Sequence, residues 1–250
     1  MKIRVINPNT TIKMTSRIGE AARSIASPGT VIVATNPKSG PISIESHFDE
    51  VISATGVIEE VRGGESDNTD AYIIACFGDP GLLAARELTL APVIGIAEAA
   101  FHVATLISTR FSIVTTLGRT GIIAEHLLQI YGFSHHCRQI RAALIPVLDL
   151  ENDNEIALNR IIKECLRAKT EDNIGAIVLG CGGMAHLASH IQKEVGLPIV
   201  DGVTAAVKLA ESLVSLGLGT SKHGDLALPP PKLFTGQFAH LSHIGVKLEK

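Results

Sequence analysis

Two stretches of this chain repeat each other, and that repeat limits the fold more than any other feature. Asp70-Ala-Tyr-Ile-Ile-Ala-Cys-Phe-Gly78 matches Gly175-Ala-Ile-Val-Leu-Gly-Cys-Gly-Gly183, and Pro92-Val-Ile-Gly-Ile-Ala-Glu-Ala-Ala100 matches Pro198-Ile-Val-Asp-Gly-Val-Thr-Ala-Ala206 in the same order. Cys76 and Cys181 stand 105 positions apart and the two prolines 106, so spacing is kept as well as order. A unit of roughly 100 residues is ordinary domain size, and a 250-residue chain holds two of them. Within each unit short Ile- and Val-rich runs alternate with longer segments of helical periodicity. Strands are expected at 3–6, 31–34, 71–75, 93–96, 111–115, 141–147, 176–180 and 199–200. Helices are expected at 11–25, 46–64, 81–88, 97–108, 121–131, 154–169, 184–195 and 203–216. Parallel strands need helical crossovers and bury both faces, so this alternation predicts an α/β fold with mostly parallel sheets. Open sheets of this kind bind ligands at the carboxyl ends of their strands, and two facing units make one shared cleft.

Composition closes off several functions. An apolar fraction of 46% with 19% charged residues is that of a well-packed globular chain,. The net charge of −3 comes without a basic run, and aromatics are 4% with no Trp, which leaves neither a phosphate-binding face nor a stacking platform for nucleic acid,. So few charges imply either a large core or a surface covered by a second copy, and a homo-oligomer is expected. The opening Met-Lys-Ile-Arg-Val-Ile-Asn-Pro is too short for a signal peptide's apolar region. The longest apolar stretch, 90–107, is broken by Pro92, Glu98 and His102, short of the ~18 residues of a membrane helix,. The protein is therefore expected in the cytoplasm without a membrane partner. Its four cysteines should be thiols there, and none has the CxxC spacing of a structural zinc site.

Cys76 and Cys181 each follow a buried-type strand and precede a turn of small residues. After Cys76 comes Phe77-Gly78-Asp79-Pro80, in which Asp79 suits an N-cap and Pro80 the first helical position,. After Cys181 come Gly182 and Gly183, which allow close backbone approach and can present N–H groups to an oxyanion,. A helix N-terminus would lower either thiol's pKa from ~8.5 towards neutrality, where proton transfer is efficient. A lone cysteine at a strand end is more often a small buried hydrophobe; two at equivalent repeat positions favour chemistry. Cys137 and Cys165 have no repeat partner and read as structural.

The turn Asn7-Pro8-Asn9-Thr10-Thr11 ends the first strand, and Thr115-Thr116-Leu117-Gly118 is its counterpart by order. Both suit plain turns and caps, with Thr10 or Thr11 as a cap, and both fall where substrate contacts would. The segment from Gly40 to Glu45 either folds over the cleft or is a solvent loop. His186 and His190 are spaced i, i+4 but lack the third ligand and the glutamate of a metal-binding HExxH helix, so no metal is expected. No dinucleotide or phosphate-loop glycine motif is present, and no lysine stands in a pyridoxal-type setting, so no cofactor is expected.

These residues together resemble the cofactor-independent Asp/Glu/hydantoin racemase superfamily, and within it the hydantoin and allantoin racemases. The carriers are Val5-Ile-Asn-Pro-Asn-Thr10, Ser39-Gly40 with Ser43-Ile-Glu45, Ile74-Ala-Cys-Phe-Gly-Asp-Pro-Gly81, Gly95-Ile-Ala-Glu98, Val114-Thr-Thr116, Val178-Leu-Gly-Cys-Gly-Gly-Met184, Val200-Asp-Gly202 and Thr220-Ser-Lys222. The resemblance runs to about residue 236 and leaves 237–250 as an unmatched tail. It implies two pseudo-symmetric flavodoxin-like lobes, 1–97 with about 205–236 and 98–204, with the last helix crossing back to the first lobe. It implies that Cys76 and Cys181 form a two-base pair working on opposite faces of a stereocentre. Asn9, Thr116 and the backbone of Phe77-Gly78 and Gly182-Gly183 would hold the substrate's carbonyls and amides, with Ser43, Ile44 and Thr115 also among the binding residues. Glutamate and aspartate racemases resemble Ala-Cys-Asn-Thr at the first thiol and Gly-Cys-Thr followed by His or Glu at the second. The glycines found here favour a neutral cyclic ureide, and allantoin is the expected physiological substrate. An amino-acid racemase or maleate-type isomerase on the same fold, or a non-catalytic binding module, is the alternative.

Overall fold

The computed structural model describes residues 1–152 and 155–242. Its first half runs β1 (Lys2–Ile6), α1 (Ile12–Ile25), β2 (Val31–Thr35), α2 (His47–Glu65), β3 (Ala71–Ile74), α3 (Leu82–Leu88), β4 (Val93–Gly95) and α4 (Ile96–Ile107). The second runs β5 (Phe111–Thr115), α5 (Gly118–Ile130), β6 (Cys137–Ala142), α6 (Glu155–Glu171), β7 (Ala176–Leu179), α7 (Ala188–Val195), β8 (Ile199–Asp201) and α8 (Gly202–Ser215). The strands form two wholly parallel sheets, β2-β1-β3-β4 and β6-β5-β7-β8. The repeat in the sequence is thus a repeat of topology, in the flavodoxin-like order. Every residue of the inner strands β3 and β7 is buried, as their unbroken apolar runs require,.

The two halves exchange their final helices. Helix α4 packs on β7 and β8 of the second sheet, α8 packs on β3 and β4 of the first, and the two helices lie against each other. Their starts are repeat-equivalent and almost touch: a Cβ on Gly202 would stand 2.3 Å from the Ile96 carbonyl oxygen, a gap that only glycine tolerates. Phe101 of α4 stacks on Phe111 of β5 at 5.8 Å and meets Phe77 edge-on at 5.6 Å, so one core runs through both halves. Glu211 fastens α8 to the loop after α1, accepting from the Ser27 amide (2.7 Å) and hydroxyl (2.8 Å), from Thr30 (2.7 Å) and from Lys208 (2.8 Å). Burial opposes its charge, but these donors hold the carboxyl down at about 2.

Strand β6 and the seventh helix depart from the sequence reading. Strand β6 occupies Cys137–Ala142 instead of 141–147, because it is an edge strand with Arg138 and Gln139 exposed. The apolar run that follows leaves the sheet at Leu144 (φ 55°) and heads for the cleft. The helix expected from 184 begins as a 3₁₀ turn, Gly182–Leu187, with α7 proper starting at Ala188. The expected start of the sixth helix at Asn154 lies outside the described residues. Beyond α8, Thr220 hydrogen-bonds Leu90 and Ala91, and Lys222 caps carbonyls at the end of α3, including Glu87 at 3.2 Å. Residues 236–242 rest on α2 through His240 and Glu59, and 243–250 lie outside the described residues. Among the described residues no helix is long and apolar enough to cross a membrane.

Candidate active site

Both repeat cysteines follow the inner strands of their sheets, at the carboxyl ends. Cys76 sits two residues past β3 in a turn closed by the Asp79 amide donating to the Cys76 carbonyl (3.0 Å). Asp79 holds a positive φ of 45° and does not cap α3, which starts after a left-handed Gly81 (φ 72°). Its carboxylate caps α4 instead, accepting from the amides of Ala97 (3.1 Å) and Glu98 (3.0 Å) and from the Tyr131 hydroxyl (3.0 Å). Gly95 makes the room, since a Cβ there would lie 2.2 Å from the Asp79 carboxyl carbon. Burial, against those three donors, pushes the Asp79 pKa up to about 7.

Cys181 precedes the 3₁₀ turn and accepts the Met184 amide at 3.0 Å on its carbonyl. A Cβ on Gly182 would stand 2.6 Å from the Ala75 carbonyl oxygen, so the two cysteine turns meet backbone to backbone. Cys76 and Cys181, both half-buried and outside any disulfide, open onto one cleft with about 540 Å³ of empty space, its mouth included. Asn9, Ile44, Phe77, Gly78, Thr116, Gly182 and Gly183 line the same cleft. Ser43 and Thr115 do not; Thr115 turns its hydroxyl to the Gly180 carbonyl (3.0 Å) and to Thr120 (2.9 Å).

The polar wall is organised for a ligand. The Asn9 side-chain oxygen accepts from Asn7 (2.9 Å) and from the Thr11 amide (2.9 Å), while its NH₂ meets the Met14 sulfur at 3.2 Å. The Thr116 hydroxyl is buried and has no partner among the described residues, a cost that a bound acceptor or donor would relieve. Thr10 and Thr11 do not cap α1; they reach the Pro41 (3.2 Å) and Ile42 (2.6 Å) carbonyls. The Gly40–Glu45 segment accordingly closes over the cleft: Ile44 lines it, and Glu45 accepts the Val147 amide of the other half at 2.9 Å.

Burial pushes the Cys76 thiol well above its ordinary range. A hydrogen bond from the Gly78 backbone opposes this, while Cys181, Glu50 and Asp79 add to it. At Cys76 the expected lowering by a helix end is not met for a geometric reason, since α3 starts six residues later and Asp79 already occupies the α4 terminus. Glu50, Asn7, Met14, Thr120, Ile123 and Val147 also line the cleft and were missed. Asn7 lay inside a quoted motif; Glu50 had no local signal, being an acid in the first turn of an ordinary helix 26 positions before the cysteine. Cys165 is buried in the α6 core, and neither it nor Cys137 reaches the cleft. His186 lies 3.3 Å from an Arg17 guanidinium nitrogen, an unfavourable neighbour for a metal ion.

A family model described as Asp/Glu/Hydantoin racemase matches residues 3–210. A hydantoin racemase of Pseudomonas sp. (strain NS671) is 49% identical over 236 residues, 94% of this chain and 95% of its own. The structure of an allantoin racemase from Klebsiella pneumoniae superposes with a TM-score of 0.95 at 58% identity, covering 97% of this chain and 99% of that one. A glutamate racemase from Bacillus anthracis shares the fold at a TM-score of 0.62 and 20% identity, over 88% of this chain and 84% of that one.

Proposed function

The chain belongs to the Asp/Glu/hydantoin racemase family, and from that premise we propose that it racemises 5-substituted hydantoins, with allantoin the physiological substrate and purine catabolism the setting. The observation that carries the reading is the pair of repeat-equivalent thiols, Cys76 and Cys181, lining one cleft from the two halves. Inversion at C5 breaks one C–H bond and forms another on the opposite face. One thiolate takes the C5 proton, which the neighbouring carbonyl acidifies, and the electron pair moves onto that carbonyl oxygen. The other thiol then delivers its proton to the far face as the pair returns. The free Thr116 hydroxyl, the Asn9 NH₂ and the Gly182 and Gly183 backbone are the groups suited to hold the ring and the developing oxyanion,. Each turnover leaves thiol and thiolate exchanged, so the site is poised for the reverse reaction and the protons must redistribute before the same direction repeats.

A neutral ring fits this cleft better than an amino acid. Among the described residues lining it there is no Lys or Arg to pair with an α-carboxylate, and the ionisable side chains are the two thiols and Glu50. In this reading 1–97 with about 205–236 make one lobe and 98–204 the other, and the enzyme works in the cytoplasm. Exposed Phe48, Val51 and Leu83 on α2 and α3 supply apolar surface for a homo-oligomer, which light scattering would detect. Polarimetry tests the reaction itself. Either enantiomer of allantoin, and of 5-alkyl hydantoins, should lose rotation to zero, while glutamate and aspartate stay unchanged. Aspartate racemised at comparable efficiency, or tight binding of hydantoins without any racemisation, would overturn the proposal.

A further inference from the structure

Glu50 is the one carboxylate among the described residues lining the cleft, and the two-thiol proton transfer does not need a carboxylate, although this one raises the nearby Cys76 thiol. Its side chain is only 17% exposed. One oxygen, Oε2, is held by His47 Nδ1 at 3.1 Å. The other, Oε1, lies against Gly78, where a Cβ would stand 2.2 Å away, and accepts no hydrogen bond among the described residues. Two independent arrangements therefore keep it in place. Glycine at 78 leaves the space, and His47, itself stacked on His126 of α5 with ring centres 6.0 Å apart, fixes the orientation. Burial pushes the Glu50 pKa upward, while the hydrogen bond from His47 and the nearby imidazoles of His47 and His126 oppose it. The unused oxygen is not sealed from the cleft, so it stands as an acceptor for whatever donor the cleft holds,.

We propose that Glu50 selects the C5 substituent, its free oxygen accepting hydrogen bonds from a substituent that carries N–H groups, as a ureido group does. The inference rests on the hydantoin-racemase reading and refines it. In that reading the ring carbonyls and amides take their partners from Asn9, Thr116 and the glycine turns, which leaves Glu50 and Ile123, also lining the cleft, for what C5 carries. Ile123 accepts the stem, and the carboxylate the polar end. An alkyl substituent of the same length offers no donor and must desolvate Glu50 without compensation, so the site discriminates by a penalty on the wrong substrate as well as a gain on the right one.

The experiment compares racemisation of allantoin and of 5-propylhydantoin by wild type, Glu50→Leu and Glu50→Gln. Glu50→Leu should cut kcat/KM for allantoin by about 10- to 100-fold, the usual range for a hydrogen bond to a charged group, and leave or improve that for 5-propylhydantoin. Glu50→Gln keeps an acceptor without the charge and should fall between, which guards against misfolding of the leucine variant. A parallel loss on both substrates in both variants would mean that Glu50 holds the ring or the fold, and would overturn the proposal. Unchanged ratios would do the same. Wild type active on both substrates with such a result leaves the racemase reading intact, whereas wild type inactive on both sinks the reading and the inference together.

Discussion

The two cysteine turns occupy equivalent places in the repeat and are supported by different means. Cys76 is followed by Asp79, whose carboxylate crosses to the α4 terminus and to Tyr131 of the other half. The position equivalent to Asp79 in the second copy is Met184, and Cys181 is framed by glycines in a 3₁₀ turn. The helix caps are exchanged in step. Helix α8 is capped locally by Asp201, which accepts from the Val203 (2.9 Å) and Thr204 (3.1 Å) amides, whereas the equivalent residue before α4 is Gly95, empty so that Asp79 can enter. In the proposed two-thiol reaction, matched reacting atoms do not require matched scaffolding. One thiol's turn is braced by a buried acid bonded to α4 and to Tyr131, and the other by the tight fit of backbone on backbone.

The largest effects should be equal for the two thiols. Cys76→Ser and Cys181→Ser should each reduce racemisation more than about 10³-fold, since inversion needs an acid and a base in one turnover. In heavy water each variant should still exchange the C5 hydrogen of one enantiomer with retention, and the two variants should choose opposite hands, read by proton NMR. Substantial racemisation by either variant, or the same hand exchanged by both, would break the symmetric mechanism.

The next test separates the two braces. Asp79→Ala should slow exchange of the hand served by Cys76 by about 10-fold or more, as expected when a reacting group loses its positioning, with less effect on the other hand. Asp201→Ala should cost about 1 kcal/mol of helix-cap stability and leave both hands alike. Denaturation against pH adds a signature. With a folded pKa of about 7 against ~3.9 unfolded,, Asp79 binds a proton in the native state where the unfolded chain does not. Its contribution is fully present below pH ~4 and is lost as pH rises through 7; Asp79→Asn should flatten that slope.

The pH profile of kcat/KM comes next. Because burial raises the Cys76 thiol, the ascending limb should lie above the ~8.5 of a free thiol, and Glu50→Gln, which removes a nearby negative charge, should move it down. A limb near pH 7 would mean that ligand-free burial does not govern the first ionisation. The smallest expected effect on rate is at Glu211→Gln, which should leave kcat/KM unchanged while lowering stability by about 1–3 kcal/mol. Its depressed carboxyl, about 2 against 4.5, stabilises the fold above pH 4.5 and loses that contribution as pH falls towards 2.

Topology was legible because inner parallel strands are apolar throughout, so β3 and β7 announce themselves and carry the cysteines with them. Edge strand β6 was misplaced because Arg138 and Gln139 break that signal while the loop after it mimics a strand. The cleft residues found in advance were those on strand-end motifs, Asn9, Thr116 and the glycines. Of those missed, Met14, Glu50, Thr120 and Ile123 come from helix flanks whose facing depends on how the two halves dock, which no local pattern encodes. Asp79 was read as a cap correctly in type and wrongly in target, since its φ of 45° swings the carboxylate away from the adjacent helix.

The exchange of α4 and α8 between the halves sets a condition on biosynthesis. While the amino-terminal half emerges from the ribosome, the face of β3 and β4 that α8 covers stays bare until residue 215 has been made. The helix that follows β4 meanwhile lacks β7 and β8, the strands of the second sheet on which it packs. Neither half is therefore a self-sufficient folding unit during translation, and a cut at the repeat boundary should yield two sticky fragments that become native only when mixed.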